Sequence, residues 1–103
     1  MSCRRFCAIL RPMRNEWELW PGGPRYAGEP VQMDALVLAD FAGGPGCARA
    51  AELGCGSGLG LLLLAWAAPA LELDGRECRT AAVREARDNL RRNGLVERCR
   101  IWQ

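Results

Sequence analysis

Lysine and histidine are absent from the 103 residues, and all 14 basic side chains are arginine. Without lysine there is no phosphate-binding P-loop lysine and no Schiff-base nucleophile. Without histidine there is no Ser-His-Asp triad, no Cys-His pair and no imidazole ligand for zinc. The six cysteines (Cys3, Cys7, Cys47, Cys55, Cys78, Cys99) contain no C-x-x-C pair and no compact framework, so neither a metal site nor a disulfide scaffold is expected. Reduced thiols in a cytoplasmic protein fit them best. Long apolar runs are also missing: "LGLLLLAWAAPAL" is about thirteen residues, against the roughly 20 that span a bilayer. The opening "MSCRRFCAILRPMRNE" returns to charge after a very short apolar stretch, so it makes a poor signal peptide. No membrane segment is expected.

What is present is a globular composition, 50% hydrophobic and 25% charged with a net charge of +2, enough for one domain but small for a complete doubly wound α/β enzyme. Residues 1–15 show no clear period and read as a poorly ordered lead-in. Residues 16–46 combine "WELWPGGPRYAGEP", dense in turn-forming proline and glycine, with "VQMDALVLADFA". The first reads as a short hairpin or clasp, and the second as a helix with Met33, Leu36, Val37 and Phe41 on one side, ended by Gly43 to Gly46.

Residues 47–103 alternate more regularly. "CARAAEL" is a strand, "LGLLLLAWAA" a helix apolar on every face, "ALEL" (70–73) a second strand, and "RECRTAAVREARDNLRRN" a helix with Cys78, Ala82, Ala86 and Leu90 on one stripe. Asp74, three residues before Glu77, resembles a capping-box start for that helix. Gly94 fits its C-terminal cap, and "RCRIWQ" begins a third strand. Strand, glycine turn, helix, strand, helix, strand predicts a partial doubly wound, Rossmann-like parallel sheet, in which ligands bind at the carboxyl ends of the strands.

The glycine turn "AELGCGSGLG" (51–60) carries the chemistry. A P-loop needs G-K-[ST], which is absent, and the dinucleotide fingerprint G-x-G-x-x-[GA] meets Leu59, Leu61 or Leu63 at its last position in all three registers. The motif that stands is [DE]-x-G-x-G-x-G beginning at Glu52. It resembles the glycine loop of class I S-adenosylmethionine-dependent methyltransferases, so the fold expected is a truncated methyltransferase fold. Together with "ELWPGGPRY", the helix carrying Asp34 and "ELDGRECRTAAVREARDNLRRNGL", the chain from about residue 16 onward looks like the amino half of the bacterial valine-tRNA adenine-N6 methyltransferases.

That resemblance implies S-adenosylmethionine as cofactor and methyl transfer to an exocyclic amine of adenine in tRNA. The donor has an amino-acid end, a sulfonium and an adenosine but no phosphate, so no lysine cradle is required. Gly54, Gly56, Ser57 and Gly58 would give it bare backbone, Glu52 a carboxylate near its amino group, and Glu72, at the next strand end, a carboxylate for its ribose hydroxyls. Asp74 competes with Glu72 for this second role. Fourteen positions (72 minus 58) separate Gly58 from Glu72, a shorter connection than is usual in the resembled family.

The N-P-P-Y-type motif that holds the target amine in that family does not occur, so no catalytic residue is carried over and the chain alone is expected to be inactive. The alternative is a non-catalytic remnant or nucleotide-binding module of the same half-fold. Trp17, Trp20 and Tyr26 cover a small core more often than they stack bases. The arginines of residues 76–92, interspersed with Glu77, Glu85 and Asp88, fit a solvated helix face better than a tRNA contact.

Overall fold

The computed structural model describes residues 11–13, 16–31, 33–42 and 48–103. Two three-stranded sheets organise them. β1 (Arg11–Met13), β2 (Glu16–Glu18) and β3 (Arg25–Tyr26) form an antiparallel meander, with Trp17 opposite Tyr26. A lead-in without order was expected through residue 15, yet Arg11–Met13 are paired with β2. Residues 1–10 lie outside the described residues, as do the helix stop at 43–46 and Cys47. Between β2 and β3 the chain turns tightly, with Leu19 N–H donating to Pro24 O at 3.0 Å and Gly23 N–H to Trp20 O at 2.8 Å. Leu19 and Tyr26 are buried, and Trp20 packs edge-on against Trp66 with ring centroids 6.1 Å apart, so Trp20 and Tyr26 serve the core.

The second sheet is parallel. β4 (Arg49–Leu53), β5 (Glu72–Arg76) and β6 (Cys99–Trp102) lie in the order β4-β5-β6, with Arg49 opposite Glu72 and Leu53 opposite Arg76. α2 (Leu59–Ala67) links β4 to β5 and α3 (Thr80–Arg92) links β5 to β6. The architecture is the expected small Rossmann-like one. Leu61 to Ala65 are all buried, which is why α2 has no polar face. Each buried leucine stabilises the fold by about 1.5–3 kcal/mol. Carbonyls at and just beyond the end of α2 are collected by Arg98, whose guanidinium donates to Leu71 O at 2.8 Å, Ala68 O at 3.0 Å and Ala65 O.

β5 begins and ends later than the sequence reading placed it. "LELDGRE" alternates strictly, with Leu71, Leu73, Gly75 and Glu77 buried and Glu72 and Arg76 exposed. Paired on both edges, this segment is held extended through Arg76. Gly75 permits the close packing: a Cβ there would stand 2.7 Å from Leu61 Cδ1, 2.9 Å from Cys55 Sγ and 3.0 Å from Ile101 Cδ1. α3 therefore starts at Thr80, Cys78 lies outside it and is exposed, and Asp74 is mid-strand, where it accepts the Trp102 Nε1–H at 2.9 Å instead of capping a helix.

The α2 and α3 side of the parallel sheet holds Leu73, Gly75, Cys99 and Ile101. The opposite side carries Arg49, Glu72, Asp74, Arg76 and Arg100, with Arg49 paired to Glu72 and Asp74 at 3.9 and 3.8 Å and Arg76 lying 5.5 Å from the centroid of the Trp102 ring. No described helix covers these charges. α1 (Met33–Ala42) packs beside α2 through its small residues, burying Ala39 and half-burying Ala35 and Leu36. Of the residues expected on one side of this helix, Leu36 packs inward while Met33, Val37 and Phe41 are 72%, 60% and 87% exposed.

Candidate functional site

The glycine loop stands at the carboxyl end of β4, where it turns the chain into α2. Gly54, Gly56 and Gly58 have φ of +68°, +55° and +86°, conformations that side-chain-bearing residues adopt only with strain. Behind Gly58 the backbone of α3 is close, with Ala86 Cβ 3.3 Å from where a Cβ would lie, so the loop is pressed onto α3. In front of Gly54 is open space, and a Cβ on Gly56 would meet only the ends of two long side chains, Arg79 Nη2 at 3.7 Å and Glu29 Oε2 at 4.0 Å.

That space is a cavity of about 530 Å³ lined by the loop residues Gly54, Cys55, Gly56 and Ser57 together with Glu52, Tyr26, Glu29, Asp34, Leu38 and Arg79, among others. Its volume is in the range of small-molecule sites. Glu52 is the residue to notice. Its carboxylate lies over Gly60, it meets no hydrogen-bond or ion-pair partner among the described residues, and burial pushes its pKa up from the ordinary value. A desolvated acid without a counter-charge is unfavourable by itself, and it is favourable once a cation arrives.

Glu72 does not join this site. It is the first residue of β5 and pairs with Arg49, the first of β4, which puts it at the opposite end of the sheet from Gly56. The reason is the register shift of β5 described above. The acid that does stand beside the loop is Glu77, one residue beyond the end of β5. Glu77 accepts the Gly56 N–H at 3.1 Å, the Arg79 N–H at 2.8 Å and the Arg79 Nε–H at 3.2 Å. Those hydrogen bonds, led by the one from the Arg79 backbone, hold its pKa down at about 2. Glu77 also lines a smaller cavity of about 330 Å³ with Gly54, Arg76, Cys78 and Gln103. Gly54 thus separates two spaces, one on the Glu52 side and one on the Glu77 side.

Ser57 faces inward. Its hydroxyl donates to Glu85 Oε2 at 2.6 Å and accepts the Glu29 N–H at 3.4 Å. Arg79, pinned by Glu77, reaches across to Glu29 Oε1 at 2.9 Å, so an ion pair bridges the loop to the segment after β3. Burial, with smaller opposing and reinforcing contributions, raises the pKa of Tyr26, whose hydroxyl donates to Glu29 O at 2.8 Å. Cys55 is buried, and desolvation raises its thiol to about 11, so it is no nucleophile at neutral pH. Of the arginines on α3, Arg87 donates to Ile101 O, Arg91 pairs with Asp88 and Arg92 donates to Asn89. Among the described residues there is no cluster of metal-ligating side chains, and no described helix is long and apolar enough to cross a membrane.

No protein-family model matches the chain, and no curated protein matches it. Solved structures do. The StiE O-MT is 26% identical with a TM-score of 0.62, covering 70% of this chain and 26% of its own. The SAM-dependent methyltransferase from Agrobacterium tumefaciens is 17% identical with a TM-score of 0.66 over 88% of this chain and 33% of its own. The SAM-dependent methyltransferase from Thiobacillus denitrificans, solved in complex with S-adenosyl-L-homocysteine, is 19% identical with a TM-score of 0.60 over 74% of this chain and 31% of its own. The chain spans no more than about a third of the length of these proteins. These three structural neighbours share its Rossmann-like fold.

Proposed function

We propose that this chain binds S-adenosylmethionine at its glycine loop and serves an S-adenosylmethionine-dependent methyltransferase. The observation that carries the reading is Glu52: a desolvated carboxylate without a partner among the described residues, in a small-molecule-sized cavity that Gly54 and Gly56 also line. An ammonium such as that of the donor's amino-acid end offsets that cost. Gly54, Gly56 and the backbone of Ser57 keep the role of bare backbone for close approach, whereas Gly58, pressed onto Ala86 of α3 and outside the cavity lining, serves the turn into α2. The second carboxylate, expected at Glu72, passes to Glu77, which lies at the loop and on the far side of Gly54. When bound, the cofactor would supply an electrophilic methyl group. The chain's own contribution is to bind and orient it.

The finer reading, methylation of an adenine exocyclic amine in tRNA, rests on the "ELWPGGPRY" and glycine-loop segments of the sequence. No described residue is assigned a catalytic role. Calorimetry with S-adenosylmethionine and S-adenosylhomocysteine on the wild type and on Gly56→Val tests the cofactor. Binding by the wild type that is lost in the variant supports the proposal, and equal heats for both at millimolar ligand overturn it. Labelled methyl transfer to bulk tRNA by this chain alone is expected to be absent, and robust turnover would overturn the reading of the chain as a cofactor-binding half without catalytic residues.

A further inference from the structure

Asn89 is completely buried on α3, a helix whose other buried residues are apolar. A carboxamide has two donor hydrogens and two acceptor positions, and here all four are used. Nδ2 donates to Ser57 O at 2.7 Å and to Ala27 O at 2.8 Å, while Oδ1 accepts the Ala27 N–H at 2.9 Å and an Arg92 Nη1–H at 2.7 Å. The Ala27 pair of bonds is what a neighbouring β-strand would make, so Asn89 reads the clasp backbone as a strand would. The bond to Ser57 O fastens the glycine loop to the same amide. Two walls of the cavity, the loop and the Tyr26–Glu29 segment, are distant in sequence and meet on this one side chain.

We propose that Asn89 is a positioning residue for ligand binding, setting the spacing between the glycine loop and the clasp that carries Tyr26 and Glu29. This rests on the cofactor reading above. Asn93, one turn on, provides an internal comparison. It exchanges hydrogen bonds with Arg25, Arg25 N–H to Oδ1 at 2.8 Å and Nδ2 to Arg25 O at 2.7 Å, and its Nδ2 also donates to Asn89 O at 2.7 Å, but it does not reach the loop. Asparagine is specific for the role because aspartate lacks both donors and would set its charge against the Ser57 and Ala27 carbonyls. Glutamine adds a methylene to a side chain with no spare room.

The test compares Asn89→Asp and Asn93→Ala in the full chain, reading S-adenosylhomocysteine affinity by calorimetry, thermal midpoint, and amide exchange at the loop. The expected result is at least a tenfold loss of affinity for N89D and less than twofold for N93A, with faster exchange of the Gly56 and Gly58 amides in N89D only. Affinity and loop exchange that change no more in N89D than in N93A overturn the proposal. Should N89D not fold, Asn89→Ser, which retains one hydroxyl at the site, takes its place with the same criteria. If the wild type binds no S-adenosylhomocysteine, the cofactor reading fails, and the exchange of the loop amides alone decides whether Asn89 sets the loop.

Discussion

Glu77 and Gly56 are joined across the carboxyl end of the parallel sheet by a hydrogen bond of 3.1 Å from the glycine amide to the acid. The link ties the loop after β4 to the residue after β5, so the order of the loop and the charge state of one carboxyl depend on each other. Because the folded-state pKa of Glu77 is lowered from 4.5 to about 2, the stabilisation it brings is fully present above its unfolded value and is lost as pH falls through the folded one. Denaturant unfolding between pH 7 and pH 2 should show the wild type losing stability in that window. Glu77→Gln should start lower at pH 7 and lose less there. Parallel acid limbs for the two proteins would remove Glu77 from this role.

Glu52 has the opposite sign. Burial raises its pKa, so the fold favours its protonated form, and stability is lost as pH rises through the folded value. Glu52→Gln should therefore have the higher thermal midpoint at neutral pH, the difference closing in acid where both side chains are uncharged. The same substitution should weaken S-adenosylmethionine binding tenfold or more, on the order of the 1.5–3 kcal/mol that hydrogen bonds to charged groups contribute. A variant that is both more stable and an equally good binder would contradict the assignment.

Gly75→Ala should destabilise the protein by about 1–3 kcal/mol, the range for overpacking a filled core. The new methyl would press on Leu61, Cys55 and Ile101 together. The denaturant midpoint gives the number, and an unchanged midpoint would mean that α2 moves off the sheet at no cost.

Arg98→Ala should cost about 1.5–3 kcal/mol, because the carbonyls of Ala65, Ala68 and Leu71 lose a charged donor. Arg98→Lys should recover only part of it, since a compact ammonium cannot span three acceptors as the guanidinium fork does. Equal stability of the lysine variant and wild type would show that charge alone suffices.

Glu72→Gln should leave cofactor affinity within twofold, as Glu72 stands at the far end of β5. Calorimetry beside Glu77→Gln separates the two acids directly.

The period of the sequence carried the alternation of strands and helices and the glycine turn, because those features are local: an all-apolar α2, a glycine cap at Gly94 with φ of +66°, alternating strands. The position of β5 was legible too, in the unbroken alternation of Leu71, Leu73, Gly75 and Glu77. The capping-box spacing of Asp74 and Glu77 pointed the other way, and pairing on both sheet edges outweighed it. The short step from Gly58 to Glu72 fits the finding that Glu72 does not reach the loop. α1 departs from its apolar pattern for a tertiary reason: the helix packs inward through Ala35, Leu36 and Ala39, two of them small enough for close approach, and Met33, Val37 and Phe41 are left outside. Asn89 had no signal beyond its place on the apolar stripe's border, since a buried amide and a solvated one look alike in sequence.

The charged side of the parallel sheet sets the terms on which anything can lie against it. Arg49, Glu72, Asp74 and Trp102 already answer one another there, and parallel sheets are ordinarily roofed on both faces. A greasy helix laid over these side chains would strip water from each charge, at an effective cost of several kcal/mol per ion. A cover over the Arg49, Glu72 and Asp74 part of this face would have to bring counter-charges or keep a film of solvent, whereas the exposed Leu53 and Trp102 at the carboxyl end of the same face accept apolar contact.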